Sequence, residues 1–353
     1  MIFSKLGRFD TATNDKLPLN CIKGAKMAIT TTGFQAPATK REGLKPSVYE
    51  NIILIGADET PILKLIGTSS VKGIEHSWLT DSLAAPKKNA QLEISDFDDQ
   101  IKSSVQKTSN AVQIFTSNVS VSRSMQAVAT YGGKELERET AKRAKEHKLD
   151  MEYALFGLGR DADVKKSVFK APTVRTDATA GEMAGLFYFL AKGTAAFASG
   201  KRGNVVAFDS SGDWKGTPAA LTETVLSQLL QNIWDAGTTP KDVFIGADLK
   251  PAINKIATRQ FGNEKNINSS VVSLDTDFGR VNFRLHRFLS PKYGLGDCII
   301  AGDFDYMKNG LLVPTELKDV TTSKTAIQKR YYTESCLEVR NADAFAIGVG
   351  LKA

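Results

Sequence analysis

The sequence has little of what most catalytic or secreted proteins rely on. Its 353 residues include three cysteines, Cys21, Cys298 and Cys336. None lies two residues from another, so a disulfide framework and a CxxC metal or redox site are excluded, and reduced thiols are the expectation. Histidines also number three, His76, His147 and His286, with no HExxH spacing, which argues against a histidine-rich metal site. The most apolar stretch, Met183 to Ala198, contains Lys192 and falls short of the ~18 apolar residues a membrane helix needs. No charged, apolar and small signal pattern opens the sequence. These absences lead to the expectation of a soluble intracellular protein that does not enter a membrane.

Motifs for catalysis are equally scarce. Gly200-Lys201-Arg202 lacks the Ser or Thr and the upstream glycine of a phosphate-cradling loop. Gly157-Leu158-Gly159 follows a helical pattern instead of joining strand to helix as a dinucleotide site does. There is no GxSxG elbow, and Asp277-Phe278-Gly279 has no HRD loop before it. Asp275-x-Asp277 and Asp303-x-Asp305 offer oxygens that suit a hard divalent ion, but acids at turns and strand ends look the same. No catalytic residue, metal site or cofactor is assigned.

Basic charge is the first positive feature. Lys and Arg total 46 against 39 Asp and Glu, a net charge of +7. Residues 1–45 hold eight basic residues against three acidic ones, an excess of five, so they carry most of the imbalance. This stretch is polar, Thr-rich and without apolar periodicity, and reads as an extended arm. Such an arm is either a solvated terminus or a strap lying on an acidic neighbour or on nucleic acid. Within it, Met27-Ala28-Ile29-Thr30 resembles a second protein start, so Met27 is a candidate alternative or processed N-terminus.

Beyond the arm the pattern alternates between rods and ribbons. Pro46 to Ile55 reads as a short helix, broken at Asp58-Glu59-Thr60-Pro61 and resumed at Ile62 to Ile66. Residues 71–80 place Ile74, His76 and Trp78 on one strand face, and 102–122 place Phe115, Val119 and Val121 on another. Between them lies a loop with the acidic residues Glu93, Asp96, Asp98 and Asp99. Read together, 71–122 is a long two-armed β-ribbon with too few apolar positions to bury both faces, so it needs a partner surface.

The strongest helical pattern runs from Lys134 to Phe156, where Leu136, Thr140, Ala144, Lys148, Met151 and Leu155 form a thin stripe. The rest is charged, with pairs such as Glu139–Arg143 and Lys142–Glu146 four residues apart. Gly181–Ser199 and Pro218–Ala236 read as helices, the latter with Leu221, Val225, Leu229, Ile233 and Trp234 on its core face. Strands at 242–246, 270–276, 280–289 and 297–301 with a helix at 248–258 make a mixed α/β unit. Phe345, Ile347, Val349 and Leu351, with Leu337 and Val339 across a polar Arg340–Asp343 connection, predict a terminal hairpin.

The order of these elements resembles the major capsid proteins of tailed double-stranded DNA bacteriophages, with the Hong Kong 97 fold. The resemblance rests on Asp58-Glu59-Thr60-Pro61-Ile62-Leu63 and His76-Ser77-Trp78-Leu79-Thr80-Asp81-Ser82-Leu83. It is closest over Gln113-Ile114-Phe115, Val119-Ser120-Val121-Ser122 and Leu149-Asp150-Met151-Glu152-Tyr153-Ala154-Leu155. Tyr332 to Asn341 carries it again, so dispersed patterns cover residues 28–351.

The resemblance implies an α+β fold with an N-terminal arm (1–45), a short helical connector (46–70) and an extended β-hairpin loop (71–122). A peripheral domain (123–180) would contain a spine helix (134–157), followed by an axial α/β domain (181–310) and a return to the peripheral domain (311–353). It further implies a non-enzymatic structural protein whose pentamers and hexamers form an icosahedral head around phage DNA. Its partners would be copies of itself, a separate scaffolding protein, a portal, a maturation protease or decoration protein, and non-specific packaged DNA. It would sit in the virion, and in the host cytoplasm during assembly. Glu93, Asp96, Asp98, Asp99, Arg138 and Arg143 are the candidate contacts between subunits. An encapsulin-like compartment shell of the same fold is the alternative, and a metal-dependent enzyme built on the Asp-x-Asp pairs is the third reading.

Overall fold

The computed structural model describes residues 59–81, 83, 86–88, 90, 93, 105–128, 133–192, 219–261 and 272–353. The first helix, α1 (Pro61–Leu65), starts with proline at its first position, where the missing N–H has no helical partner to lose. The chain then enters β1 (Gly67–Ser70) and β2 (Glu75–Thr80), and returns through β3 (Gln106–Ala111) and β4 (Gln113–Ser122). A short helix α2 (Arg123–Ala127), capped by the Ser122 hydroxyl, leads to the long helix α3 (Glu135–Leu155). At 1.5 Å per residue α3 is about 31 Å long.

Strands β10 (Met307–Val320) and β11 (Ala326–Val339) complete a four-stranded sheet in the order β1-β10-β11-β4. In β4 the alternation is clean, with Phe115, Ser117, Val119 and Val121 buried and the residues between them exposed. Helix α3 packs on that buried face, where the ring of Phe115 meets His147 edge-on. The buried end of α3 is His147, Met151, Glu152, Ala154 and Leu155. Lys148, expected on the stripe, is exposed, and His147 takes the position one residue earlier. Gly157, at φ 75°, ends the helix, and its backbone is approached so closely by Gly185 that a Cβ there would lie 2.4 Å from the Gly157 nitrogen.

A second sheet has the order β12-β9-β6-β8-β7. It is built from β6 (Asp242–Ile245), β7 (Ser273–Thr276), β8 (Gly279–Leu285), β9 (Ile299–Gly302) and β12 (Phe345–Gly348). Its central strands are buried on both faces, and the period of two divides their side chains between two cores. Val243, Ile245, Ile299 and Ala301 join helices α6 (Glu223–Asp235) and α7 (Lys250–Phe261). Phe244 and Ile300 face the other way, into a core shared with the end of α3 and with helix α5 (Leu186–Lys192). Both α4 (Val164–Val168) and the 181–190 segment contribute to that same core.

Three expectations are corrected. The terminal hairpin does not form: β11 ends in the first sheet, while β12 pairs antiparallel with β9 in the second, and Arg340–Ala344 crosses between them. Alternation identified both strands, and Leu337, Val339, Phe345 and Ile347 do share one core, but the backbone of β12 is paired with β9 and not with β11. The final strand, β13 (Leu351–Lys352), pairs in parallel with β5 (Ala219–Ala220). The ribbon does not include residues 113–122: β2 pairs with β3, whereas β4 turns away into the four-stranded sheet. On α6, Trp234 is 57% exposed, and the core face is Leu226, Leu229, Leu230 and Ile233. The 46–55 helix and the helical turns after Lys192 lie outside the described residues.

Candidate assembly surface

The β2–β3 ribbon is fixed at its root and uncovered farther out. At the root, Asn110 is fully buried and makes a complete set of bonds. Its amide donates to the carbonyls of Leu337 (2.7 Å) and Ala184 (3.3 Å), and its oxygen accepts from the Ala184 N–H (2.8 Å) and the Ala111 N–H (2.9 Å). One side chain thereby ties β3 to β11 and to the loop before α5. Trp78 is buried against Phe189, with ring centroids 5.6 Å apart. Val71, Val112 and Cys336 form a small apolar cluster beside them.

Farther from the root the burial stops. Leu79 is 69% exposed, Val105 53% and Leu83 fully exposed. Isolated exposed leucines are ordinary. Leu79 on β2, and Leu83 and Val105 just beyond the ends of the two strands, are apolar side chains that the ribbon does not cover by itself.

Two buried carboxylates hold the segments around this ribbon. Glu338 on β11 accepts from the Ser69 hydroxyl at 2.6 Å and from Arg340 Nε at 2.8 Å. His76 of the ribbon places Nε2 3.3 Å from the same carboxylate. Burial on its own raises a carboxyl pKa, but the bonds from Ser69 and Arg340 and the charge of Arg340 outweigh it, and Glu338 is held below its usual value.

Glu152, on the buried end of α3, has no solvent exposure. It accepts from the N–H groups of Ile62 (2.9 Å) and Leu63 (2.8 Å), which open α1, and from His286 Nε2 (2.9 Å) beyond the end of β8. His286 Nδ1 accepts the Phe288 N–H at 3.1 Å, so the ring proton sits on Nε2 and points at Glu152. This single carboxylate joins α1, α3 and the second sheet.

The charged flank of α3 is paired within the helix. Arg138 binds Glu135 and, at 3.1 Å, Glu139, while Arg143 binds Glu146 at 2.6 Å. Lys142–Glu146 forms at 3.9 Å, and Glu139 is engaged by Arg138 in place of the expected Arg143. Glu93 is exposed, and Asp96, Asp98, Asp99 and Met27 lie outside the described residues. Of the six candidate contact residues, the described ones are Glu93, which is exposed, and Arg138 and Arg143, which pair within α3.

The Asp303-x-Asp305 pair is engaged by a lysine. Asp303 and Asp305 share Lys241, whose Nζ lies 2.9 and 2.7 Å from them, and Asp303 also caps the turn that follows it. Among the described residues there is no group of three or more His, Cys, Asp or Glu arranged to hold a metal, and no helix long and apolar enough to cross a membrane.

The sequence model of the SU10 major capsid protein matches residues 27–352, almost the whole chain. The chain belongs to the SU10 major capsid protein family. The major capsid protein of Escherichia phage Phieco32 is 28% identical over 214 residues, covering 58% of this chain and 59% of that relative's length.

Solved structures agree on the fold. The capsid of Myoviridae phage XM1 superposes with a TM-score of 0.58 at 15% identity, over 90% of this chain and all of that one. The SrpI encapsulin of Synechococcus elongatus does so with a TM-score of 0.54 at 9% identity, over 90% and 96%. At these identities the likeness is one of fold, the Hong Kong 97-like capsid fold that the sequence patterns resemble.

Proposed function

We propose that copies of this chain assemble as pentamers and hexamers into the icosahedral head that encloses phage double-stranded DNA. The observation that carries the reading is the ribbon, rooted through Asn110 and Trp78, with Leu79 uncovered on it and Leu83 and Val105 uncovered just beyond its strands. Such a surface is satisfied by a neighbouring copy. Modest contacts repeated over a closed shell then add up through multivalency.

In this reading β2 and β3, with the segment that joins them, supply the extended loop, and α3 is the spine of a peripheral domain made with the four-stranded sheet. The second sheet with α6 and α7 is the axial domain, grouped around capsomer centres. The basic arm, residues 1–45, lies along a neighbour and meets the acidic segment at Glu93, Asp96, Asp98 and Asp99. A separate scaffolding protein, a portal, a protease and a decoration protein are the partners in assembly, and packaged DNA is contacted without sequence preference. Assembly takes place in the host cytoplasm, and the chain carries no catalytic site. The family match favours a phage head over a compartment shell, because the encapsulin likeness is one of fold alone.

The test is the mass distribution of the purified protein by light scattering, with negative-stain images of the largest fraction. It is repeated with the neighbouring genes co-expressed. Rings of five or six subunits, or closed shells, are expected; a monomer under both conditions contradicts the proposal.

A further inference from the structure

Strand β4 is the edge of the four-stranded sheet, and it lacks the usual protections of an edge. Its ten residues, Gln113–Ser122, include no charged residue, no proline and no glycine. Its register with β11 runs without a shift from Gln113↔Ser335 to Ser122↔Ala326. Soluble proteins blunt exposed edges with charge, proline, bulges or very short strands. The other outer strands follow that practice: β1 and β7 have four residues each. Strand β10, inside the sheet, carries Pro314, several charges and two register shifts. Among the described residues, roughly 33 Å of edge on β4 therefore has no strand beside it.

The direction of the free backbone groups follows from one bond. The Arg123 N–H donates to the Thr325 carbonyl at 3.2 Å, continuing the β4–β11 register by one residue. In an antiparallel pair the residues whose N–H and C=O point to the partner alternate with residues whose groups point away. Phe115, Ser117, Val119 and Val121 share the phase of Arg123 and face β11. Ile114, Thr116, Asn118 and Ser120 present their N–H and C=O groups outward, and among the described residues none of these has a backbone partner.

We propose that this edge accepts an extended strand from a second copy of the chain, adding a fifth strand to the sheet across a subunit boundary. The proposal rests on the shell reading above. In a shell, neighbouring copies lie beside each subunit, and a ring of five or six needs a head-to-tail contact. Pairing β4 with another β4 would be two-fold symmetric and stop at a dimer, so the incoming strand is a different segment of the neighbour. Main-chain bonds along the edge then set affinity and register without requiring particular side chains. This fits the Ser-, Thr- and Asn-rich exposed face of β4.

Residue-resolved amide hydrogen exchange on unassembled and assembled protein tests it. The amides of Ile114, Thr116, Asn118 and Ser120 are expected to exchange at least a hundredfold more slowly in particles than in the unassembled chain. Those of Phe115, Ser117, Val119 and Val121 should be slow in both. Outward amides that stay fast in particles overturn the proposal. So does protection already present in the monomer, which means the chain covers its own edge, or protection that appears only when a second protein is added.

Thr116→Pro deletes one outward N–H while sparing the β11 ladder, as proline does at a sheet edge. It should yield at least tenfold fewer particles with a nearly unchanged unfolding midpoint, whereas Thr116→Ala should assemble normally. Normal assembly of a folded Thr116→Pro protein also overturns the proposal, and if that variant fails to fold, the exchange pattern decides. Particles that form with a fast-exchanging edge sink the edge contact alone. Wild-type protein that stays monomeric at every concentration, co-expressed or not, with fast outward amides, sinks both readings.

Discussion

Replacing Glu152 probes the joint between α1, α3 and the second sheet. In Glu152→Ala, the Ile62 N–H, the Leu63 N–H and His286 Nε2 lose their shared acceptor inside a site with no solvent exposure. A hydrogen bond to a charged group is worth about 1.5–3 kcal/mol net. Three buried donors left unsatisfied at about 1–3 kcal/mol each, partly offset because the variant no longer buries a charge, put the loss at about 3–5 kcal/mol. Glu152→Gln keeps an oxygen where Ile62 and His286 donate but turns an NH2 group toward the Leu63 N–H. One donor is then unsatisfied, and the loss is about 2 kcal/mol. Urea unfolding of the unassembled protein, followed by far-ultraviolet circular dichroism, measures both. The expected order is wild type, then Gln, then Ala, with faster exchange of the Ile62 and Leu63 amides in both variants. An Ala variant within about 1 kcal/mol of wild type would refute the reasoning.

Other consequences are checked more briefly. His147 is enclosed by Ser117 (3.0 Å) and Thr333 (2.8 Å), and burial lowers its pKa from the ordinary 6.5. The unfolded chain therefore takes up a proton that the folded chain refuses; stability is complete above that pH and is lost as pH falls toward the lowered native value. His147→Gln should remove this part of the pH dependence in urea midpoints, and an unchanged profile would place it elsewhere. Asn110→Ala strips bonds from the ribbon root and should destabilise the protein by about 2–3 kcal/mol, with faster exchange through β2 and β3. Leu79→Asp should leave the monomer's unfolding midpoint almost unmoved, since the side chain is 69% exposed, yet reduce particle yield in light scattering. A normal yield would remove the ribbon from the contact.

Much of this fold is legible from pattern. The 3-and-4 spacing through Leu136, Thr140, Ala144 and Met151 locates α3 to within a residue or two, and alternation through Phe115, Val119 and Val121 names the buried face of β4. Alternation does not name a partner, however, which is why β12 was expected on β11 when it pairs with β9. Strand β10 escapes pattern altogether, because shifts around Val313 and Pro314 break its period of two. The buried polar joints are the least legible. Asn110, Glu152 and His286 are paid for by bonds to residues more than 70 positions away, and a sequence shows the polar group without its partner. A signal was present for Glu152, an acid inside the apolar run Met151 to Leu155, where a solvated face would not put it.

The claim that a ribbon of one subunit is covered by its neighbour is tested most directly by crosslinking from Leu83, which is fully exposed. A photoreactive amino acid at this position, activated in assembled particles, should give covalent dimers and higher multiples of the 38.3 kDa chain on denaturing gels. Crosslinks confined within single chains, in particles that are otherwise intact, would contradict it.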